Sequence, residues 1–323
     1  VHAKAAKKVQ ALAHKHEIPV VLTPMAKGML AEDDPSYAGV LFHALSDKVG
    51  ETHSQADLVL AIGYDPVEFN YESWLPPDAR LVSLDVAPAD IDSGRYSLAV
   101  DAVGDIGETL DALLTLPASP HEWDLGALAD RRAEMFARLR PSNQGFGPKA
   151  ALAVLRDVLP SDGIMTCDVG AHTHLIGQVW ETPEPGLQIM TNGWSTMGFG
   201  IPSAIAAKLM CPGKKVCSVV GDGGFLMTAG ELSTAMRYGL NVVVILLTDN
   251  ELALIRIKQE RKDNRAYGIE VRNEGVVGDG SIFGVPVHTA CGSAEFQDHL
   301  QAAFAADGPV VIEACIDAVS YTH

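Results

Sequence analysis

The sequence predicts an α/β protein made of two doubly wound parallel-sheet domains. Short apolar, β-branched runs alternate with amphipathic helical stretches along most of the 323 residues, the pattern of parallel sheets covered on both faces. The alternation breaks once, in a proline- and charge-rich stretch at residues 116–146, which reads as a linker. The length suits about two domains of ordinary size, and 47% hydrophobic against 20% charged residues leaves enough apolar side chain for large cores. The expected boundaries are a first domain at 1–115 and a second at 147–323.

Within the first domain, residues 3–15 read as a helix, 18–22 as a strand and 47–55 as a helix. Strands follow at 57–63 (DLVLAIG) and 80–85 (RLVSLD), then a helix at 105–114. A doubly wound unit ordinarily opens with a strand and a glycine turn before its first helix. Here that strand is missing and no initiator methionine stands first, so the chain is expected to begin inside a domain. In the linker, Pro117, Ser119 and Pro120 break the pattern. A charged helix at about 126–140 follows, closed by 141–148 (PSNQGFGP). In the second domain strands are expected at 164–168, 187–191, 216–220, 241–247 and 309–315, with a weaker one at 285–288 and helices between them. No short repeat and no low-complexity tract occurs.

Composition excludes several function classes. A net charge of −17 argues against a nucleic-acid partner, whose phosphates require a basic surface. Five scattered cysteines with no CxxC pair argue against zinc and a disulfide framework, and fit a reduced, cytoplasmic setting. No apolar run reaches membrane-spanning length and no signal peptide is evident.

The chemistry concentrates at two strand ends. Residues 216–225 (VCSVVGDGGF) read as a buried strand ending on Gly221-Asp222-Gly223, which sets Asp222 where α/β folds place ligands. Thr228-Ala229-Gly230-Glu231 has the form of a capping box. It predicts a helix that starts there, turns Leu232, Ala235 and Met236 to the core and stops at Gly239. The next strand delivers Thr248, Asp249, Asn250 and Glu251 at its own carboxyl end. Consecutive right-handed strand–helix–strand units put such ends side by side, so Asp222 and Asp249 are expected to face one crevice. Two carboxylates there repel unless a cation lies between them. A hard divalent ion with oxygen ligands resolves the conflict and leaves positions for phosphate oxygens and water. The adjoining glycines allow close backbone approach to a diphosphate. Leu226 stands where a dinucleotide fingerprint needs glycine, and no Gly-Lys-Ser/Thr follows, so neither of those phosphate loops applies. A Gly-Asp-Gly alone is also an ordinary turn; the whole unit, from strand to Asp249-Asn250, raises it above one.

This unit resembles the signature of the thiamine diphosphate enzymes, Gly-Asp-Gly followed at a set interval by Asn-Asn. Gly221-Asp222-Gly223 is intact, and Thr248-Asp249 stands in place of the Asn pair. The resemblance implies a magnesium ion held by Asp222, Asp249 and the main-chain carbonyl of Glu251. It also implies thiamine diphosphate, with its diphosphate against Gly221, Gly223, Gly224 and Asn250. Residues 191–202 (TNGWSTMGFGIP) are similar to the family's loop under the bend of the cofactor. There Met197 would wedge between the two rings and the Ser195 carbonyl would accept from the aminopyrimidine. Residues 168–172 (DVGAH) are similar to the strand end that contacts the diphosphate, with main-chain donors at Gly170 and Ala171 and His172 beside them. By the same resemblance the helix from Leu252 (LALIRIKQE) lines the substrate pocket, with Ile255 near the thiazolium and Lys258 or Gln259 toward substrate. A solvated basic face accounts for that helix equally well. His172 and His174 read either as proton-transfer groups or as plain hydrogen-bonding or surface histidines.

Residues 61–69 (AIGYDPVEF) and 84–92 (LDVAPADID) resemble the family's central domain, closest to the FAD-independent, catabolic acetolactate synthases. The Tyr64-Asp65-Pro66 pattern departs from FAD-binding relatives, so flavin near Asp65 and Asp92 is not expected. The implied reaction is decarboxylation of a 2-keto acid and transfer of the acyl carbanion, in a homo-oligomer (dimer or tetramer). In the family a glutamate on a separate pyrimidine-binding domain activates the cofactor. No glutamate here takes that role, so no catalytic residue is named, and the chain is expected to be a C-terminal portion that is inactive alone. Rival readings are another thiamine-dependent lyase or hydrolase, a pyruvate oxidase, or a non-catalytic cofactor- or nucleotide-binding module.

Overall fold

The structure, a computed structural model, describes residues 5–41, 46–64, 79–92, 94, 96–118, 123–140, 145–191, 193–271 and 277–316. Asp65, the rest of 65–69, and Asn192 lie outside the described residues. The chain forms two compact units, Val1–Ala137 and Arg138–His323.

The first unit begins with α1 (Ala6–His16), which buries Val9, Leu12 and Ala13, the i, i+3, i+4 stripe of an amphipathic helix. Strands β1 (Val20–Leu22) and β2 (Tyr37–Val40) pair in parallel, and α2 (Ser46–His53) follows. A three-stranded parallel sheet runs in the order β3 (Leu58–Ile62), β4 (Arg80–Asp85), β5 (Ser97–Val103). Asp105 then caps α3 (Ile106–Thr115), its side chain accepting from the Glu108 N–H, and α4 (Leu125–Leu139) closes the unit. The sequence reading missed β2 and β5. It also expected sheets covered on both faces, whereas β5 has one neighbour and its side chains are mostly exposed.

The second unit contains α5 (Pro148–Val158), β6 (Ile164–Cys167), α6 (Ala171–Val179), β7 (Gln188–Met190) and α7 (Gly200–Met210). It continues through β8 (Val216–Gly221), α8 (Asp222–Thr228), α9 (Leu232–Arg237), β9 (Val242–Thr248) and α10 (Ala253–Glu260). It ends with β10 (Gly280–Ile282), β11 (Val285–Ala290), α11 (Ser293–Ala305) and β12 (Val310–Cys315). The seven strands lie in the order β10-β11-β12-β9-β8-β6-β7, parallel except for the β10–β11 pair. Every strand expected in this half is present. Only the short, glycine-containing β10 was not anticipated.

Strand β9 is buried along its whole length and β8 up to its last residue, so this sheet is covered on both faces. On one face Val216, Val220, Val242, Val244 and Leu246 pack with Ile201, Ala204 and Ile205 of α7, Phe225 of α8, and Leu232 and Ala235 of α9. Each such buried aliphatic side chain contributes about 1.5–3 kcal/mol of transfer free energy. From β6 the chain passes to β7 on one side, then crosses to β8 on the other. The crevice outside the carboxyl ends of β6 and β8 is therefore the topological switch point, where doubly wound folds bind ligands.

The capping-box expectation fails. Helix α8 starts at Asp222, directly off β8, with extended Gly221 as its N-cap. Thr228 is its last residue, followed by a tight turn over Ala229–Glu231, and no side-chain cap comes from Thr228. Its hydroxyl instead donates to the Gly224 carbonyl (3.4 Å). Thr228 does leave the helical region (φ −132°, ψ 14°), but with its hydroxyl turned back to α8 it makes no cap bond to the turn that follows. Leu232 and Ala235 are buried but Met236 is 41% exposed, because it turns roughly 100° beyond Ala235 on a short helix. Gly239 does end α9, with φ of 59°.

Candidate functional site

Strands β8 and β9 are neighbours, with Gly221 opposite Leu247, so Asp222 and Asp249 leave adjacent strand ends. The Asp222 carboxylate is 3% exposed. Its Oδ1 accepts from the Gly223 N–H (2.8 Å), while Oδ2 is buried with no hydrogen-bond partner. Burial raises its pKa against several backbone N–H groups that lower it. Burial, together with the charge of Asp222, pushes Asp249 up to about 7. The buried Asp222 and half-buried Asp249 carboxylates therefore compete for ionisation in the absence of a cation.

Asn250 takes the left-handed conformation (φ 62°), which turns the chain immediately after Asp249, and its Oδ1 is buried without a partner. Asp249 Oδ1 accepts from the Glu251 N–H (3.2 Å). The Glu251 carboxylate is held by Arg256 Nε at 2.8 Å, which leaves its main-chain carbonyl as the group expected to meet a metal. Among the described residues no three His, Cys, Asp or Glu side chains gather for a metal; the expected set uses two. The orphaned Asp222 and Asn250 oxygens and the paired carboxylates fit a divalent cation. Gly223 has no room for a side chain of its own: a Cβ there would stand 2.7 Å from Leu252 Cδ2 and 2.9 Å from Met197 Cε.

That contact places Met197 against Gly223. Ser195 is in the left-handed region at φ 47°, a conformation that costs a non-glycine residue about 1 kcal/mol or more. His172 is buried between Gly170 and Gly221, where a Cβ would come within 2.8 Å and 3.3 Å of its ring. It is thus not a surface histidine, and burial lowers its pKa to about 4. Ala171 opens α6. The Gly170 N–H, expected as a donor, instead donates to Thr173 Oγ1 (3.0 Å), so in this conformation it is already engaged.

The structure adds three observations on α10. Ile255 is 44% exposed and Ala253 is the residue the helix buries, so Ile255 is open to a ligand and is not packed in the core. Lys258 is exposed, which favours the solvated face. Gln259 binds the main chain of Tyr267 through both side-chain atoms (3.1 and 3.0 Å). The segment beyond returns to the site: Leu252 N donates to Ile269 O (2.7 Å), and Val271 N to Asn250 O (2.9 Å).

Sequence reasoning missed two buried carboxylates. Asp168, fully buried at the end of β6, accepts from the N–H groups of Val169 (2.8 Å), Gly198 (3.0 Å) and Phe199 (3.2 Å). Glu313 of β12 accepts from Thr248 Oγ1 (3.1 Å), Val277 N (3.1 Å) and Gly278 N (2.6 Å). Asp168 did carry a signal, an acid at the carboxyl end of an apolar strand, as at Asp222. Glu313 carried one too, an acid inside an otherwise apolar strand.

Residues 168–314 match the family described as thiamine pyrophosphate enzyme, C-terminal TPP binding domain. Residues 1–113 match the thiamine pyrophosphate enzyme central domain. An acetolactate synthase of Bacillus subtilis is 30% identical over 328 residues, covering 97% of this chain and 56% of that protein. A catabolic acetolactate synthase of Raoultella terrigena is 34% identical over 275 residues, 81% of this chain and 48% of that protein. A probable 2-ketoarginine decarboxylase of Pseudomonas aeruginosa is 30% identical over 315 residues, 96% and 55% respectively. The chain spans about half the length of these relatives. With both domain families matched in order along the chain, it belongs to the thiamine pyrophosphate enzymes.

Proposed function

We propose that residues 221–224 and 249–251 hold a magnesium ion and, through it, the diphosphate of thiamine diphosphate. We further propose that the protein decarboxylates a 2-keto acid and transfers the acyl unit in the manner of an acetolactate synthase. The observation that carries the reading is the pair of a buried Asp222 and a half-buried Asp249, with Asp222 Oδ2 lacking a hydrogen-bond partner. A divalent ion between them removes the conflict, and then both carboxylates ionise. When bound, the cofactor supplies a thiazolium that adds to the keto acid and acts as the electron sink for loss of carbon dioxide. The chain's own part is to bind and orient. Asp222, Asp249 and the Glu251 carbonyl hold the metal, Gly223 and Gly224 admit the diphosphate, and Ala171 offers an N–H at the start of α6. Met197 and the Ser195 carbonyl set the ring end. Residues 1–115 correspond to the central domain and 147–323 to the diphosphate-binding domain.

The working protein is proposed to be a homo-oligomer, dimer or tetramer. Exposed Leu226 and Met227 (51% and 63%) on α8 beside the site support this. A reducing, cytoplasmic setting agrees with five unpaired cysteines. No helix among the described residues is long and apolar enough to cross a membrane.

The test is calorimetric titration of the intact natural protein with thiamine diphosphate, with and without magnesium, followed by product analysis across 2-keto acids. Asp222→Ala is expected to abolish magnesium-dependent binding, whereas Asp249→Asn, which restores the family's usual residue, retains it within a few-fold. Binding that ignores Asp222→Ala, or no binding at all, removes the proposal.

A further inference from the structure

We propose that Asp168 is a positioning residue for the ring end of the cofactor: by gathering the N–H groups of Gly198 and Phe199 it fixes where Met197 stands against Gly223. This rests on the thiamine diphosphate reading and assigns a separate task within it.

Asp168 is fully buried and sits on the rigid side of the crevice, since its own N–H bonds the Val219 carbonyl of β8 (3.0 Å). Its carboxylate reaches across 30 residues of sequence to Gly198 (3.0 Å). Burial pushes the carboxyl pKa up, and the N–H groups of Val169, Gly198, Phe199 and Gly200 hold it down. A carboxylate accepting several N–H bonds is a stiff tether, because moving any of them exposes a buried charge. The tethered stretch begins one residue after Met197, and the methionine methyl lies close to where a Cβ of Gly223 would be, 2.9 Å away. Gly198 itself is in the left-handed region (φ 85°), and a Cβ on it would stand 2.9 Å from Thr228 Cγ2, so this turn has little freedom. The groups proposed for the metal, Asp222, Asp249 and the Glu251 carbonyl, take none of these hydrogen bonds, and Asp168 meets the diphosphate side by packing against Gly224, not by a hydrogen bond to it. The metal and the ring end of the cofactor are therefore held by separate sets of bonds.

The test uses the intact natural protein and two probes, magnesium thiamine diphosphate and magnesium inorganic diphosphate. Asp168→Asn keeps the shape but sets an NH2 against N–H donors. It is expected to weaken thiamine diphosphate about 10-fold or more while inorganic diphosphate changes less than about threefold. Met197→Ala should show the same selectivity, and the double variant should lose little beyond Met197→Ala alone, as a shared path requires. Equal weakening of both probes, or additive losses, overturns the proposal. If Asp168→Asn does not fold, hydrogen exchange on the unliganded wild type decides. Slow exchange at Gly198 and Phe199 supports the tether, and exchange as fast as in an open loop overturns it. Wild-type protein that fails to bind thiamine diphosphate with magnesium refutes the functional reading itself. Wild-type binding without the selective loss refutes only the role of Asp168.

Discussion

Gly224→Ala should destabilise the second unit although alanine is the better helix former. Gly224 lies in the first turn of α8, where the exchange would ordinarily gain about 1 kcal/mol. A Cβ there would stand 2.0 Å from Asp168 Oδ2 and 2.9 Å from Asp168 Cγ. The neighbour that must yield is not a flexible side-chain end but a fully buried carboxylate holding the N–H groups of Val169, Gly198 and Phe199. Overpacking costs about 1–3 kcal/mol, and each disturbed hydrogen bond to a charged group about 1.5–3 kcal/mol. With partial relaxation and the helix gain subtracted, the net loss is about 3 kcal/mol. For a unit of this size that lowers the melting temperature by roughly 6–12 °C. Gly230→Ala is the control, since nothing lies within 4 Å of its Cβ position. Differential scanning calorimetry of the two variants measures the difference, and Gly224→Ala melting within about 1 °C of Gly230→Ala would refute the packing argument.

Three further outcomes are expected. Burial holds His172 neutral down to about pH 4, while the unfolded chain protonates it near pH 6.5. Its contribution to stability is therefore full above about pH 6.5 and falls, by up to roughly 3 kcal/mol, as pH drops toward 4. Denaturant midpoints of wild type and His172→Gln should diverge over that window, and parallel curves would contradict it. Iodoacetamide on the folded protein should label exposed Cys291 before Cys167 and Cys217, whose thiols are buried and pushed up in pKa, Cys217 to about 12. Equal labelling rates by peptide mapping would count against this. Leu232→Ala should cost about 2–5 kcal/mol and Met236→Ala less than about 1 kcal/mol. Equal urea midpoints would show that the inward face of α9 is misassigned.

Much of the second unit was readable because buried parallel strands announce themselves. A run such as VVVILLT has no polar alternation to confuse it, and the strand-end rule then set Asp222 and Asp249 together. Strand β5 was not readable, since SLAVDAV on an exposed edge lacks that signal. The capping-box error came from a local motif outweighed by an earlier one, a helix already begun at Asp222. Which face of α10 docks was not readable, because helix phase depends on which turn packs and the pattern LALIRIKQE permits several. Asp168 was hardest to see: its partners at 198 and 199 are distant in sequence, and no periodicity reports a carboxylate that binds only backbone.

The return of residues 269–271 onto 250–252 has an evolutionary side. It closes the excursion through α10 at its base, beside Asp249, and Gln259 closes it a second time at Tyr267, so only the short tip beyond that clasp remains. Residues inserted near 262–266 would then alter the entropy of loop closure by only about 0.6 kcal/mol for each doubling of loop length. The tip is free to diverge in length and composition while the turn that carries the carboxylate keeps its shape.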